Sequence, residues 1–225
     1  MQIAAGSIFQ NSESYIDRYA RQISELRAAA PEHTFRLILA EGDGDDHSFE
    51  ILKALYDGSV QKKVHGGPLF TSVEDDVRFR QVSWVWESIL GRVTPQDDVF
   101  IWIESDLVWE PKTILRLLQR LEEPGVDAVS PMCFYHGFHY DTWAFRGLDG
   151  VRFGNYPPYH TCMLENSPNG LYPISGFGSC IVMKAEIART CHLDPPELVS
   201  ISLCRQAMEK GYRAWIDPSL KVVHP

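Results

Sequence analysis

Val99-Phe-Ile-Trp-Ile103-Glu-Ser-Asp106-Leu-Val-Trp-Glu-Pro111 decides the reading of this chain. Five consecutive apolar residues, too few for a helix and rich in β-formers, read as a strand buried on both faces. The run stops at two carboxylates one residue apart, and alternation along an extended chain puts Glu104 and Asp106 on the same side. Pro111, suited to a first helical turn, then opens a helix to about Leu121. A buried strand, an acidic loop and a helix make half of a βαβ unit.

The same unit recurs on the N-terminal side. Gln2 to Phe9 reads as a strand, and Ser14 to Ala30 as a helix with Ile16, Tyr19, Ile23 and Leu26 on one face. Phe35 to Ala40 is a compact strand, Glu41 to Asp46 a polar glycine-rich loop, Ser48 to Tyr56 a helix, and Val60 to Val64 a weaker strand. Val77 to Leu90 carries Val82, Val85, Trp86 and Ile89 at helical spacing, with Asp75 or Asp76 as its cap. Beyond Val126 to Pro131, another strand, aromatics, glycines and prolines replace periodicity until a helix near Glu197 to Lys210 and a closing strand at Lys221 to Val223. Alternation at this pitch predicts an α/β fold: one Rossmann-like domain over 1–225, with a mostly parallel central sheet flanked by helices. Residues 1–131 form its nucleotide-binding half and 132–225 an acceptor-facing half. The polar loops at Ser7 to Asn11, Glu41 to Asp46 and Glu104 to Asp106 should share the ligand edge.

Composition narrows the partners. With 44% hydrophobic residues in 225, the chain can bury one sizeable core, and its net charge of −9 opposes polyanions in general. Five cysteines, odd in number and without CxxC pairs, read as reduced thiols of a cytoplasmic, soluble protein. No signal-peptide pattern and no apolar run of about 18 residues is present, so no transmembrane segment is expected.

Glu104 and Asp106 suit a hard divalent cation, Mn²⁺ or Mg²⁺, which takes one or two carboxylates and completes its shell with water and substrate phosphates. Two acids so spaced also cap strand-to-helix turns; their position after a buried strand in a βαβ series favours the metal. His224, at the end of the closing strand, is either a surface residue or an imidazole ligand suited to Mn²⁺. Ser7, Asn11, Glu41, Asp43, Glu104 and Ser105 lie on the ligand edge as donor-binding candidates. Arg78 and Arg80, at a helix start there, could clamp phosphate or be solvated charges. Tyr140, Asp141 and Trp143, with Ser175 and Gly176 further on, mix aromatic plates and polar groups as a sugar-binding surface does, although core packing and glycine turns would look the same.

Taken together, these segments resemble the GT-A glycosyltransferases over nearly the whole chain. Ala4 to Ser14 resembles their first nucleotide-binding strand and loop, Glu41 to Ser48 their second acidic loop, and Glu104-Ser-Asp106 their metal-binding DxD motif. Gly211-Tyr-Arg-Ala-Trp-Ile-Asp-Pro218 to His224 resembles their closing helix, strand and histidine. Phe134 to Arg146, with Tyr140-Asp-Thr-Trp143, is similar to fungal capsule-associated mannosyltransferases, and Glu104 to Thr113 resembles the mannan-polymerase branch. The resemblance implies transfer of a hexose from a GDP- or UDP-sugar to an acceptor hydroxyl on a glycan, lipid, protein or modified nucleic-acid base. Asp106 would serve in catalysis and, with Glu104 and His224, in metal binding. One departure stands out: inverting members carry an acidic pair at the start of the last helix, where this chain has Leu198-Val-Ser-Ile-Ser-Leu203. Asp194 and Glu197 are nearby but out of register, with Glu197 the candidate for a displaced base, and the gap leans toward retention of configuration. Sugar-phosphate nucleotidyl transfer and a non-catalytic nucleotide-sugar-binding module are the competing readings; the first normally brings a basic glycine-rich loop that Ala5-Gly-Ser-Ile-Phe9 lacks.

Overall fold

In the computed structural model, which describes residues 1–71 and 73–225, ten strands join in one sheet. The N-terminal half follows the expected alternation. Strands β1 (Gln2–Phe9), β2 (Thr34–Glu41), β3 (Val60–Lys62) and β4 (Val99–Ile103) are mutually parallel in the order β3-β2-β1-β4. Helices α1 (Ile16–Ala29), α2 (Ser48–Leu55), α3 (Asp76–Leu90) and α4 (Pro111–Leu121) intervene. Asp75 caps α3, its Oδ1 accepting from the N–H of Val77 at 2.8 Å and of Arg78 at 3.1 Å. In β4 the pleat divides the side chains: Phe100 and Trp102 join the layer containing Trp86 and Ile89 of α3, while Ile101 and Ile103 join the layer of α1 and α4. Gly6 of β1 lets α3 approach, since a Cβ there would lie 2.6 Å from Ile89 Cγ2 and 2.7 Å from Phe100 Cζ.

The C-terminal half departs from the expected pattern. Strand β5 runs Ala128–Tyr135, later than the predicted Val126 to Pro131, and turns back through β6 (Phe138–His139). Two short strands, β7 (Arg146–Gly147) and β8 (Tyr172–Gly176), precede β9 (Cys180–Lys184), α5 (Ala185–Thr190), α6 (Val199–Glu209) and β10 (Ala214–Val223). β9 inserts antiparallel between β4 and β5, β10 lies parallel to β5, and the full order is β3-β2-β1-β4-β9-β5-β10-β8-β7. The closing strand is longer than the predicted three residues because a register shift between Asp217 and Lys221 lets it bend and continue along β5. The result is a single α/β domain with a mixed, mostly parallel sheet flanked by helices.

Candidate active site

Because β1, β2 and β4 are parallel, their C-terminal ends share one edge: Phe9 pairs with Glu41, and the Gly42 N–H donates to Phe9 O at 2.8 Å. Two cavities open along that edge. The outer one, about 340 Å³, is lined by Gln10, Tyr15, Gly42, His65, Ser105 and Asp106 among others. The inner one, about 270 Å³, is walled by Trp102, Tyr140, Asp141, Trp143, Ser179 and His224 and by the start of α6 at Leu198 to Ser200. Arg78 and Glu104 line both, so the cavities meet there.

At this junction His224 Nε2 lies 3.0 Å from Asp106 Oδ2, and the imidazole stacks on the Tyr140 ring at 4.3 Å. β10 delivers the histidine: Val223 bridges Val108, just past the acidic loop, and the His224 N–H donates to Phe134 O at 2.8 Å. Burial lowers the His224 pKa, but the hydrogen bond to Asp106 and the charges of Asp106 and Glu104 outweigh it and hold the ring above its usual value. Glu104 is pushed up to about 8, by burial first and then by the charges of Asp106 and Asp141. Asp141 is raised by burial too, despite accepting from the Ser179 N–H at 2.8 Å and from the Ser179 hydroxyl.

These acids resist full ionisation without a cation. Among the described residues no group of three or more His, Cys, Asp or Glu side chains forms a ready-made metal cage. The donor set nevertheless fits a divalent ion that takes few protein ligands: Asp106 Oδ1 is buried with no hydrogen-bond partner, and His224 stands beside the same carboxylate.

The structure brings together Glu104, Ser105, Asp106, Arg78, Tyr140, Asp141, Trp143 and His224 from the sequence candidates. Others sit elsewhere. Ser7 is fully buried with its hydroxyl 2.9 Å from Tyr19 Oη. Glu41 and Asp43 brace their own loop: Glu41 Oε1 accepts from the Gly44 N–H at 2.6 Å and Asp43 Oδ2 from the Gly66 N–H at 2.9 Å. Asn11 Oδ1 accepts from the Asp45 N–H at 2.8 Å, and Arg80 is exposed on α3. The Ser175 hydroxyl donates to Gly147 O at 2.6 Å, and Gly176 provides close passage past Ala144 O. Glu197 lies off both cavities, paired at 3.1 Å with Arg205.

Trp102 and His65 were not among the sequence candidates; Gln10 lay inside the Ser7 to Asn11 loop, Gly178 and Ser179 inside the aromatic and polar stretch of Ser175 and Gly176, and Leu198 to Ser200 inside the stretch at the start of the last helix, without being singled out. Trp102 carried a usable signal, since two residues before Glu104 on a strand is the same face. Gly178 and Ser179 carried only the general signal of an aromatic and polar stretch, and it is the insertion of β9 beside β4 that brings them to the acids; the Glu104 N–H donates to Ser179 O at 2.9 Å.

No family model matches the chain, and no curated protein matches it. Solved structures do. A mannosyltransferase of Pyrobaculum calidifontis in complex with GDP-Man and Mn²⁺ superposes over 98% of this chain with a TM-score of 0.63 at 14% identity. Glucosyl-3-phosphoglycerate synthase of Mycobacterium tuberculosis in complex with phosphoglyceric acid covers 100% with a TM-score of 0.57 at 16% identity. S. aureus TarS 1-349 covers 99% with a TM-score of 0.54 at 14% identity. The fold is that of the GT-A glycosyltransferases. This chain spans 56%, 72% and 60% of those three structures respectively. The mycobacterial enzyme is also known in complex with Mn²⁺, UDP and glucosyl-3-phosphoglycerate.

Proposed function

We propose that the chain is a metal-dependent glycosyltransferase that moves a hexose from a GDP- or UDP-sugar to an acceptor hydroxyl with retention of configuration. The observation that carries this reading is the Asp106–His224 pair, 3.0 Å apart, at the junction of two cavities of nucleotide and sugar size. The outer cavity would take the nucleotide, with the diphosphate at Asp106 and Arg78. The inner one would take the sugar, against Trp143, Tyr140 and Asp141. Asp106 and His224, with Glu104 behind them, would hold Mn²⁺ or Mg²⁺, which when bound neutralises charge on the diphosphate. Mn²⁺ in complexes of structural neighbours supports a divalent metal.

Retention is favoured by what faces the reacting centre. The start of α6 offers Leu198, Val199 and Ser200, and a serine hydroxyl is too weak a base to deprotonate an acceptor unaided. Glu197 is occupied by Arg205, at 3.1 Å from Nη2 and 3.2 Å from Nε. The acceptor proton then goes to the departing diphosphate oxygen. The bond between the anomeric carbon and that oxygen breaks, and a bond from the same carbon to the acceptor oxygen forms on the same face. The mannosyl branch of the resemblance makes GDP-mannose the first donor to try. Five unpaired cysteines, four of them buried, support a reducing, cytoplasmic setting; among the described residues no helix is long and apolar enough to cross a membrane.

Incubation with a panel of nucleotide sugars and Mn²⁺ tests the reading. Release of nucleoside diphosphate and free or transferred sugar is expected. Pyrophosphate exchange would instead indicate nucleotidyl transfer, and a thermal shift without turnover a binding module.

A further inference from the structure

The aromatic lining of the inner cavity continues onto the surface. Strands β5 and β6 turn through His136 and Gly137, at φ 47° and 86°, a two-residue hairpin whose left-handed backbone matches the strand twist. Pleating gives the hairpin two faces. Phe134 and His139, paired across the strands, look inward: Phe134 meets Tyr159, and His139 meets Phe145 and Phe153. Tyr135 and Phe138, the next pair, therefore share the outer face, where they are 40% and 45% exposed. Tyr156, 65% exposed, meets Phe138 edge to face with ring centroids 5.3 Å apart. Its segment is fastened to β6, since Asn155 Nδ2 donates to His139 O at 2.8 Å and the His139 N–H donates to Asn155 O at 3.1 Å. On the other side, the Tyr135 ring lies 5.8 Å from Tyr140 and 6.4 Å from His224, both of which wall the inner cavity. Ring contacts and one cross-strand pair thus link Tyr156, Phe138 and Tyr135 to the junction of Asp106 and His224. Three large aromatics held out to water side by side mark a surface that something covers.

A neutral saccharide fits this surface. Sugar rings present apolar C–H faces that lie against aromatic rings, and hydroxyl rims that find polar groups beside them; here the exposed His136 and Asn155 adjoin the rings. Residues 134–140 and 153–160 contain no Lys, Arg, Asp or Glu, so neither segment selects a charged partner such as an anionic membrane or a nucleic acid. Continuity with the inner cavity sets the order: a sugar unit whose hydroxyl faces the junction has its preceding units over Tyr135, Phe138 and Tyr156. We propose that the acceptor is a neutral oligosaccharide or polysaccharide, held along the outer face of the β5–β6 hairpin by these three rings. This rests on the glycosyltransferase reading for its place in the reaction and narrows the acceptor from any hydroxyl to an existing glycan chain.

Calorimetry without metal or nucleotide tests the surface itself. The probes are cellotetraose, maltotetraose, α-linked mannotetraose and chitotetraose, each against the methyl glycoside of its own sugar. They are applied to the wild type and to Phe138→Ala, Tyr156→Ala and Phe138→Tyr, whose positions are exposed, so melting temperatures should hold. At least one tetrasaccharide should bind the wild type at least about tenfold more tightly than its methyl glycoside and weaken at least about fivefold in either alanine variant, a loss within the range of one aromatic contact. Phe138→Tyr keeps a ring and should bind as the wild type does. No tetrasaccharide preferred over its methyl glycoside, or a preference that survives both alanine variants, would overturn the proposal. So would sedimentation with phosphatidylcholine vesicles, or self-association in the ultracentrifuge, that the alanine variants abolish while no tetrasaccharide binds; the face would then belong to a lipid surface or to a second copy. In transfer assays the alanine variants should raise the KM for the tetrasaccharide, and equal wild-type rates onto tetrasaccharide and methyl glycoside would defeat the proposal. Ring-dependent tetrasaccharide binding with no transfer from any nucleotide sugar would leave the glycan site standing and count against the glycosyltransferase reading alone.

Discussion

Asp106→Asn distinguishes a metal ligand from a structural carboxylate. In the metal-free protein its two effects oppose each other. The Asp106–His224 pair, with side chains 27% and 22% exposed, is open enough to water that losing it costs about 1 kcal/mol or less. Against that, Asp106 helps hold the Glu104 carboxyl above its ordinary value, after burial and before Asp141. A carboxyl raised on folding withdraws stability as pH climbs from its unfolded value near 4.5 to about 8, because the unfolded chain loses the proton first. Removing Asp106 relieves part of that. The metal-free melting temperature at pH 8 should therefore stay within about 2–4 °C of wild type, the shift that 1 kcal/mol makes in a chain of this size. With Mn²⁺ and nucleoside diphosphate at a hundredfold excess over Kd, the wild type should gain about 2.7 kcal/mol, or roughly 5–11 °C. Asp106→Asn should lose most of that gain along with Mn²⁺-dependent turnover. Differential scanning fluorimetry with and without Mn²⁺ reads both numbers. A variant that melts well below wild type without metal, yet keeps the full metal-dependent gain and turnover, would refute the assignment.

Glu197→Gln should leave most of the transfer rate and an α-linked product from an α-linked donor, read by proton NMR of the anomeric signal; a loss on the order of 10² to 10⁴ with a β-linked product would make Glu197 a base for inversion. Gly178→Ala should impair transfer and cost about 1–3 kcal/mol, because a Cβ there collides with Asp141 Oδ2 and the Phe145 ring; unchanged kinetics would remove Asp141 from the working site. Arg120→Met leaves Asp217, 1% exposed and 2.8 Å from Arg120 Nε, buried without its cation, and should cost about 3–5 kcal/mol in urea unfolding. His139, fully buried and depressed from 6.5 to about 4 mainly by burial, supplies stability that is lost as pH falls from 6.5 toward 4; His139→Phe should flatten that part of the pH–stability curve.

The N-terminal half was legible because each element depends on its own residues. β4 announces itself by five apolar side chains, α3 by its periodicity and Asp75 cap, and the acidic loop by ending a buried strand. Mutual parallelism then placed Phe9, Glu41 and Glu104 on one edge without further information. The inner cavity was far less legible. Tyr140, Asp141 and Trp143 on its wall were candidates from their residue types, but Gly178 and Ser179 in the turn before β9 and Leu198 to Ser200 at the start of α6 join them only through the antiparallel insertion of β9 and the packing of α6. Glu41 and Asp43 also serve the loop itself: with Asp43 at φ 60°, their carboxylates accept backbone N–H groups of Gly44 and Gly66, a role that an acidic glycine-rich sequence does not announce.

The central position of β9 also bears on how the chain is made. During synthesis from the N-terminus, β1 to β4 can pair as soon as they leave the ribosome, but β4, buried on both faces in the finished protein, has an open edge until residues 180–184 emerge. β5 waits for the same segment, since β9 is what joins it to the rest of the sheet. A nascent chain stalled or truncated near residue 150 would therefore present Val-Phe-Ile-Trp-Ile as an unpaired strand, a strong substrate for chaperones and a seed for aggregation. Expression yields of successive C-terminal truncations should change abruptly around β9 rather than decline evenly with length.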